Sequence, residues 1–166
     1  MNWNKPARAG VLPADKVYAA ALHLLGMRDY SEAELLSKLL AKGAGESDAA
    51  ETIERLKELG YLDEKRLAAA VIRHYQQYQY GGRLYVRQKL RQKGVKEEHI
   101  ASAMEQYYDR QTEREVLARA VAKERDKLPA DLSREQYAKE IQRIARRLSR
   151  RGFSVSEIFH LLQNDI

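Results

Sequence analysis

The side chains best placed to act on a partner in this sequence are arginines and lysines in two runs. From Arg83 to Lys96 the chain carries Arg83, Arg87, Lys89, Arg91, Lys93 and Lys96 and no acid. From Lys139 to Arg151 it carries Lys139, Arg143, Arg146, Arg147, Arg150 and Arg151 against the single acid Glu140. Placed on a helix, Val86 and Leu90 form an inward line, Arg83, Arg87 and Arg91 step along one flank, and Lys89 and Lys93 follow the other. In the later run Lys139, Arg143, Arg146 and Arg150 gather opposite Tyr137, Ile141, Ile144 and Leu148. Such stripes suit phosphates or an acidic protein groove, and both partners stay open at this point. Glu32, Glu34, Glu46, Asp48, Glu51, Glu54 and Glu58 make the first third of the chain less basic.

Other chemistry finds little support. His23, His74, His99 and His160 fall in separate helical segments without zinc-site spacing, and the chain has no Cys to complete a ligand set. Gly81-Gly82-Arg83 lacks the longer spacing and the Lys-Ser/Thr ending of a phosphate loop. Ser31, Ser47, Ser133, Ser154 and Asp63 are explained by helix capping. No catalytic residue, metal or cofactor is therefore expected, and a binding protein is expected rather than an enzyme. The net charge of +6 over 166 residues favours polyanions modestly. With 44% hydrophobic and 33% charged residues the chain reads as a folded soluble protein. No apolar run reaches membrane-spanning length, and Met1 to Leu12 is too polar for a signal-peptide core, so a cytoplasmic location is expected.

The elements that must present these side chains are short helices punctuated by glycine. After a loose arm ending near Pro13, Asp15 is expected to cap a helix with Tyr18, Leu22 and Leu25 on one face, interrupted at Gly26. Ser31 and Glu34 have capping-box spacing before Leu35, Leu36, Leu39 and Leu40, and Gly43 is suited to a left-handed C-cap. Ser47 is expected to cap the next helix, with Ile53, Leu56 and Leu59, which stops at Gly60. Asp63 then opens a helix with Leu67, Ala68, Val71 and Tyr75. The Gly81-Gly82 pair breaks it ahead of Arg83 to Gln92, and Gly94 ends that element. Ile100, Ala103, Met104 and Tyr107 mark the next inward face. Later stripes run through Val116, Leu117 and Ala120, through Tyr137 to Leu148, and through Ile158, Phe159 and Leu162, with Gly152 between the last two.

The order recurs. Leu39, Leu90 and Leu148 each stand four residues before Gly43, Gly94 and Gly152, and Leu35, Val86 and Ile144 stand eight before. Lys42, Lys93 and Arg151 directly precede those glycines and are expected to support helix ends. This is an internal repeat of buried positions and C-caps, and it predicts an all-α fold of stacked units.

Several stretches also resemble the RecX family of bacterial regulatory proteins, which modulate the RecA recombinase. They are Arg28-Asp29-Tyr30-Ser31 with Glu34-Leu35, Lys38-Leu39 and Lys42-Gly43; Gly60-Tyr61-Leu62-Asp63-Glu64 with Arg66-Leu67-Ala68; Gly81-Gly82-Arg83, Leu90 and Lys93-Gly94-Val95; and Arg150-Arg151-Gly152-Phe153-Ser154 with Ile158. Gly82 stands where many family sequences have Pro, and Leu67 replaces a frequent aromatic. The resemblance implies three tandem three-helix repeats, curved and elongated, over 15–62, 63–110 and 111–166, behind a flexible arm at 1–14. It further implies binding to the RecA–DNA filament, limiting ATP hydrolysis, strand exchange and filament extension, with contact to single- or double-stranded DNA and a monomeric protein. Arg83, Arg87, Arg91, Arg143, Arg146 and Arg150 are the expected contacts. Ser31, Gly43, Asp63, Gly82, Gly94 and Gly152 are the expected structural motif. The alternative is an independent double-stranded DNA-binding protein or small helical transcription regulator.

Overall fold

The computed structural model describes residues 11–163, so most of the arm expected at 1–14 lies outside the described residues. Among the described residues the chain is all helical, without strands. The helices are α1 (Ala14–Met27), α2 (Glu32–Ala41), α3 (Glu46–Glu58), α4 (Glu64–His74), α5 (Arg83–Gln92), α6 (Glu97–Tyr107), α7 (Arg110–Arg125), α8 (Arg134–Arg150) and α9 (Val155–Gln163). A π-helical turn, Tyr75–Gln79, continues from α4. The chain divides into two compact units: one runs to Leu67 and includes Gln92–Lys96, and the other comprises Ala68–Arg91 and the chain from Glu97 onward.

In the first unit α1, α2 and α3 pack on one another around Val17, Ala21, Leu35, Leu39, Ala49, Ile53 and Leu56. Ser31 caps α2, its hydroxyl accepting from the Glu34 N–H at 3.1 Å, but the Glu34 carboxylate turns away to Arg28 and the box is only half formed. Gly43 adopts φ +89°, and the Gly43 and Ala44 N–H groups donate back to Leu40 and Leu39, which satisfies carbonyls at the end of α2. Gly60 closes α3 in the same left-handed conformation.

Three local expectations need correction. Gly26 does not interrupt α1, which continues to Met27; the buried face of Val17, Ala21 and Leu24 outweighs the roughly 1 kcal/mol that glycine costs in a helix. Asp15 is not its cap. Pro13 occupies that position, and Asp15 sits in the first turn, where its charge still suits the helix dipole. Gly45 rather than Ser47 precedes α3, because the chain is drawn in at buried Ala44 and resumes helix at Glu46. Glu46 and Asp48 supply the negative charge at that end, and Ser47 bonds Glu51.

In the second unit α7 packs against α8, α9 and the π turn, and α8 against α9. Asp109 caps α7 by accepting from the Thr112 N–H at 2.7 Å. Ser133 and Gln136 form a reciprocal capping box at the start of α8. Val116, Leu117, Ala120, Ile144, Leu148, Phe153, Ile158 and Leu162 are buried. Tyr107, expected on the inward face of α6, is exposed, and Tyr108 is fully buried in its place. The helix ends at Tyr107, so the backbone leaves the 3.6-residue register and turns the next ring inward. The Tyr108 hydroxyl donates to the Gly81 carbonyl, and burial pushes its pKa well above the ordinary phenol value.

A similar joint is built once in each unit, and it explains Gly94 and Gly152 among the spaced glycines. In the first, Gly94 (φ +74°) ends α5 against the start of α2: a Cβ there would lie 2.9 Å from that of Ala33, and the Ser31 hydroxyl donates to the Lys93 carbonyl. In the second, Gly152 (φ +83°) ends α8 against the start of α5, and the Gly82 N–H donates to the Arg151 carbonyl at 2.8 Å. A Cβ on Gly82 would come within 2.5 Å of the Gly152 oxygen. A carboxylate completes each joint. Buried Glu64 accepts from the Glu32 and Lys96 N–H groups, both at 3.0 Å, and Glu113 accepts from the Arg83 N–H at 2.7 Å. Glu32 and Arg83 are the first residues of α2 and α5, whose N–H groups have no partner inside the helix.

Candidate partner-binding surfaces

The later basic stripe is presented by α8. Ile144, Ala145 and Leu148 are buried, and these positions orient the helix so that Lys139, Arg143, Arg146 and Arg150 face solvent. Arg147 is on a different side: it bonds Glu124 of α7 at 2.8 Å, and that carboxylate also holds Lys127 at 3.0 Å. Lys139 pairs with Glu135 and Arg143 with Glu140 along the helix, and Arg146 donates to the Gln142 carbonyl. Exposed i,i+3 and i,i+4 pairs of this kind contribute only about 0.5 kcal/mol, so a partner's anion can displace them.

Beside this stripe runs a groove of about 680 Å³ between α8 and α9, lined by Arg143, Arg146, Arg147 and Arg150 with Val155 and Phe159. Val155 is 53% exposed. Cations thus rim a partly apolar floor, a combination that accepts an anionic group carrying some hydrocarbon or aromatic surface.

The earlier stripe is more constrained than its sequence suggests. Arg83 and Arg87 line a second groove of about 560 Å³, with Leu84, Arg110, Glu113 and Glu157. Arg83 has a buried Nε without a hydrogen-bond partner. Arg87 and Arg91 converge on Glu97, the first acid after the basic run; Arg91 Nε donates to it at 2.8 Å. Their hydrogen bonds, that of Arg91 first, hold the Glu97 carboxyl down to about 2. The structure therefore brings Arg83 and Arg87 together in one groove, Arg87 and Arg91 on one carboxylate, and Arg143, Arg146 and Arg150 at another groove. Both grooves border the chain from Gly152 to Phe159.

The remaining expected motif residues serve the fold. Ser31, Gly82, Gly94 and Gly152 make the two joints, Gly43 closes α2, and Asp63 accepts from the Lys65 and Arg66 N–H groups at 2.9 and 3.0 Å. Arg151 also closes a helical end, though by reaching the Gln79 carbonyl of the π turn. Glu64 and Glu113 escaped sequence reading because an acid in a first helical turn is ordinary; the 49-residue step between them matches the glycine repeat only loosely. Among the described residues no three His, Cys, Asp or Glu side chains are grouped to hold a metal, and no helix is long and apolar enough to cross a membrane.

Residues 18–56 match a family model described as RecX, first three-helix domain, and residues 63–104 match RecX, second three-helix domain. The Regulatory protein RecX of Vibrio campbellii is 34% identical over 143 residues, covering 86% of this chain and 87% of that protein. That of Xanthomonas axonopodis pv. citri is 34% identical over 140 residues, covering 83% and 80%. That of Pelodictyon phaeoclathratiforme is 39% identical over 87 residues, where the match spans about half of each, 52% and 54%. The crystal structure of RecX from Lactobacillus salivarius superimposes with a TM-score of 0.70 over 90% of this chain and 94% of that one, at 23% identity, a likeness of fold.

Proposed function

This chain belongs to the RecX family of regulatory proteins, and on that premise we propose that it binds the RecA–DNA filament and limits ATP hydrolysis, strand exchange and filament extension. The observation that carries the reading is the solvent-facing line Arg143, Arg146 and Arg150 on α8, beside a groove whose floor is partly apolar. Arg83, Arg87 and Arg91 add a second cationic edge within the same unit, with Arg87 and Arg91 held in place by Glu97 until a stronger anion competes. The partner groups are filament carboxylates and DNA phosphates, the protein acts as a monomer in the cytoplasm, and the tandem three-helix repeats over 15–62, 63–110 and 111–166 are its working modules.

Two cationic lines support this reading because a filament offers acidic protein groups and phosphates at a regular spacing, so that many weak contacts add. The test is to measure association with recombinase alone, with DNA alone and with the assembled filament, alongside DNA-dependent ATP hydrolysis. Tightest binding to the filament, with reduced hydrolysis, is expected. Equal affinity for naked duplex DNA and for filament would favour an independent DNA-binding protein instead.

A further inference from the structure

We propose that the π turn and its tyrosines form a stacking platform for unpaired nucleotides, separate from the arginine stripes. Within the second unit the stretch Ala68–Arg91 carries no acidic residue, yet it contains Tyr75, Tyr78, Tyr80 and Tyr85 together with Arg73, His74 and Lys89, none of them among the expected arginine contacts. Nothing in the regulatory reading uses those rings.

The backbone is specialised here. The turn Tyr75–Gln79 is wound with a wider π pitch, and Tyr80 leaves it at φ +48°, the one non-glycine residue with positive φ among those described. A bulky side chain in that region costs about 1–3 kcal/mol and persists only where its surroundings hold it. They do: Arg119 donates to the Gln76 carbonyl at 3.3 Å, Arg151 to that of Gln79 at 2.5 Å, and the Gln76 amide to Tyr107 at 2.6 Å. Extra helical residues of this kind re-aim side chains and often mark functional sites.

What is re-aimed is an aromatic cluster. The Tyr75 ring meets those of His74 and Tyr85 edge-on at 5.6 Å, and Tyr78 lies 5.7 Å from His74. Lys123 stands 5.2 Å over Tyr80 and Lys89 stands 5.1 Å over Tyr85. Tyr78 itself is 66% exposed, which leaves a π face open to solvent. Around it lie exposed Arg73, His74, Gln77 and Gln79. Those exposed neighbours in sequence are polar or charged, which suits a nucleotide better than the apolar face of a docked helix, and a duplex keeps its base faces covered. An unpaired base stacked on Tyr78, its phosphates near Arg73 and the other cations, satisfies both the ring and the charge.

The inference does not rest on the filament reading, so the test omits recombinase. A fluorescein-labelled oligo-deoxythymidine is titrated with the whole chain, with Tyr78→Ala and with Tyr78→Phe at several salt concentrations, and unlabelled duplex serves as competitor. Stacking one base makes Tyr78→Ala weaker by about 5- to 150-fold with the salt slope unchanged, and Tyr78→Phe close to the parent. Parental affinity in Tyr78→Ala, or duplex competing as well as single strand, would overturn the platform. The exposure of Tyr78 keeps both variants folded, which circular dichroism checks.

Discussion

Replacing Glu64 by alanine tests whether the joint in the first unit is held as described. Glu64 is 5% exposed, and its carboxylate accepts two backbone N–H groups at 3.0 Å, from Glu32 at the start of α2 and from Lys96 after Gly94. Hydrogen bonds to a charged group contribute roughly 1.5–3 kcal/mol each, and part of that offsets desolvation of the carboxylate, so a net loss of about 3 kcal/mol is expected for the pair. For a chain of this length that lowers the melting temperature by roughly 6–12 °C. Glutamine keeps one carbonyl acceptor and sets an NH2 group against the other N–H, so Glu64→Gln is expected to lose at least half as much. Calorimetry reads the total, and amide exchange reads its place: the Glu32 and Lys96 amides should exchange faster while those of α8 do not. A fall below about 2 °C, with both amides still protected, would refute the role assigned to this carboxylate.

Gly82→Ala should destabilise by about 1–3 kcal/mol because its Cβ meets the Gly152 oxygen at 2.5 Å, whereas Gly26→Ala, with nothing within 4 Å inside α1, should stabilise by about 0.5–1 kcal/mol; thermal melts of the two should shift in opposite directions. Glu97 should titrate near 2 in an NMR experiment and return toward its ordinary 4.5 in Arg91→Ala. Since the folded value lies below the unfolded one, whatever stability this group adds is present above pH 4.5 and fades as the pH falls toward 2. Tyr108→Phe leaves the buried Gly81 carbonyl without its donor and should cost about 1–2 kcal/mol by denaturant titration, with no change in affinity for a partner.

The helical class, the glycine stops at Gly43, Gly60, Gly94 and Gly152 and the caps at Ser31, Asp63 and Ser133 were legible because each is a local rule: left-handed φ needs glycine, and a first-turn N–H needs a nearby oxygen. The inward faces were legible only in part: in α1 the buried line is Val17, Ala21 and Leu24, with the expected Tyr18, Leu22 and Leu25 partly buried beside it, Leu59 at the end of α3 is exposed, and Tyr107 failed where the period stopped. The π turn left no local signal, since Tyr-Gln-Gln-Tyr-Gln would fit an ordinary helix as well; it exists because Arg119 and Arg151, far away in sequence, satisfy its carbonyls. Charge was legible as composition but not as pairing. The run from Arg83 to Lys96 has no acid of its own, and only folding brings Glu97 back onto Arg87 and Arg91. Likewise Arg147 looks like its neighbours in sequence but is spent on Glu124 inside the unit.

The central claim, that exposed arginines grip a recombinase filament, is tested most directly by charge reversal. Arg143, Arg146 and Arg150 are changed together to Glu, with Arg83, Arg87 and Arg91 changed in a second variant, and binding to the assembled filament is measured at low and moderate salt. Three exposed ion pairs at roughly 0.5 kcal/mol each amount to about tenfold in affinity, and reversal should cost more than removal. The α8 variant is expected to bind at least that much more weakly and to lose most of its salt dependence. Unchanged filament binding by both variants at both salt concentrations would contradict it.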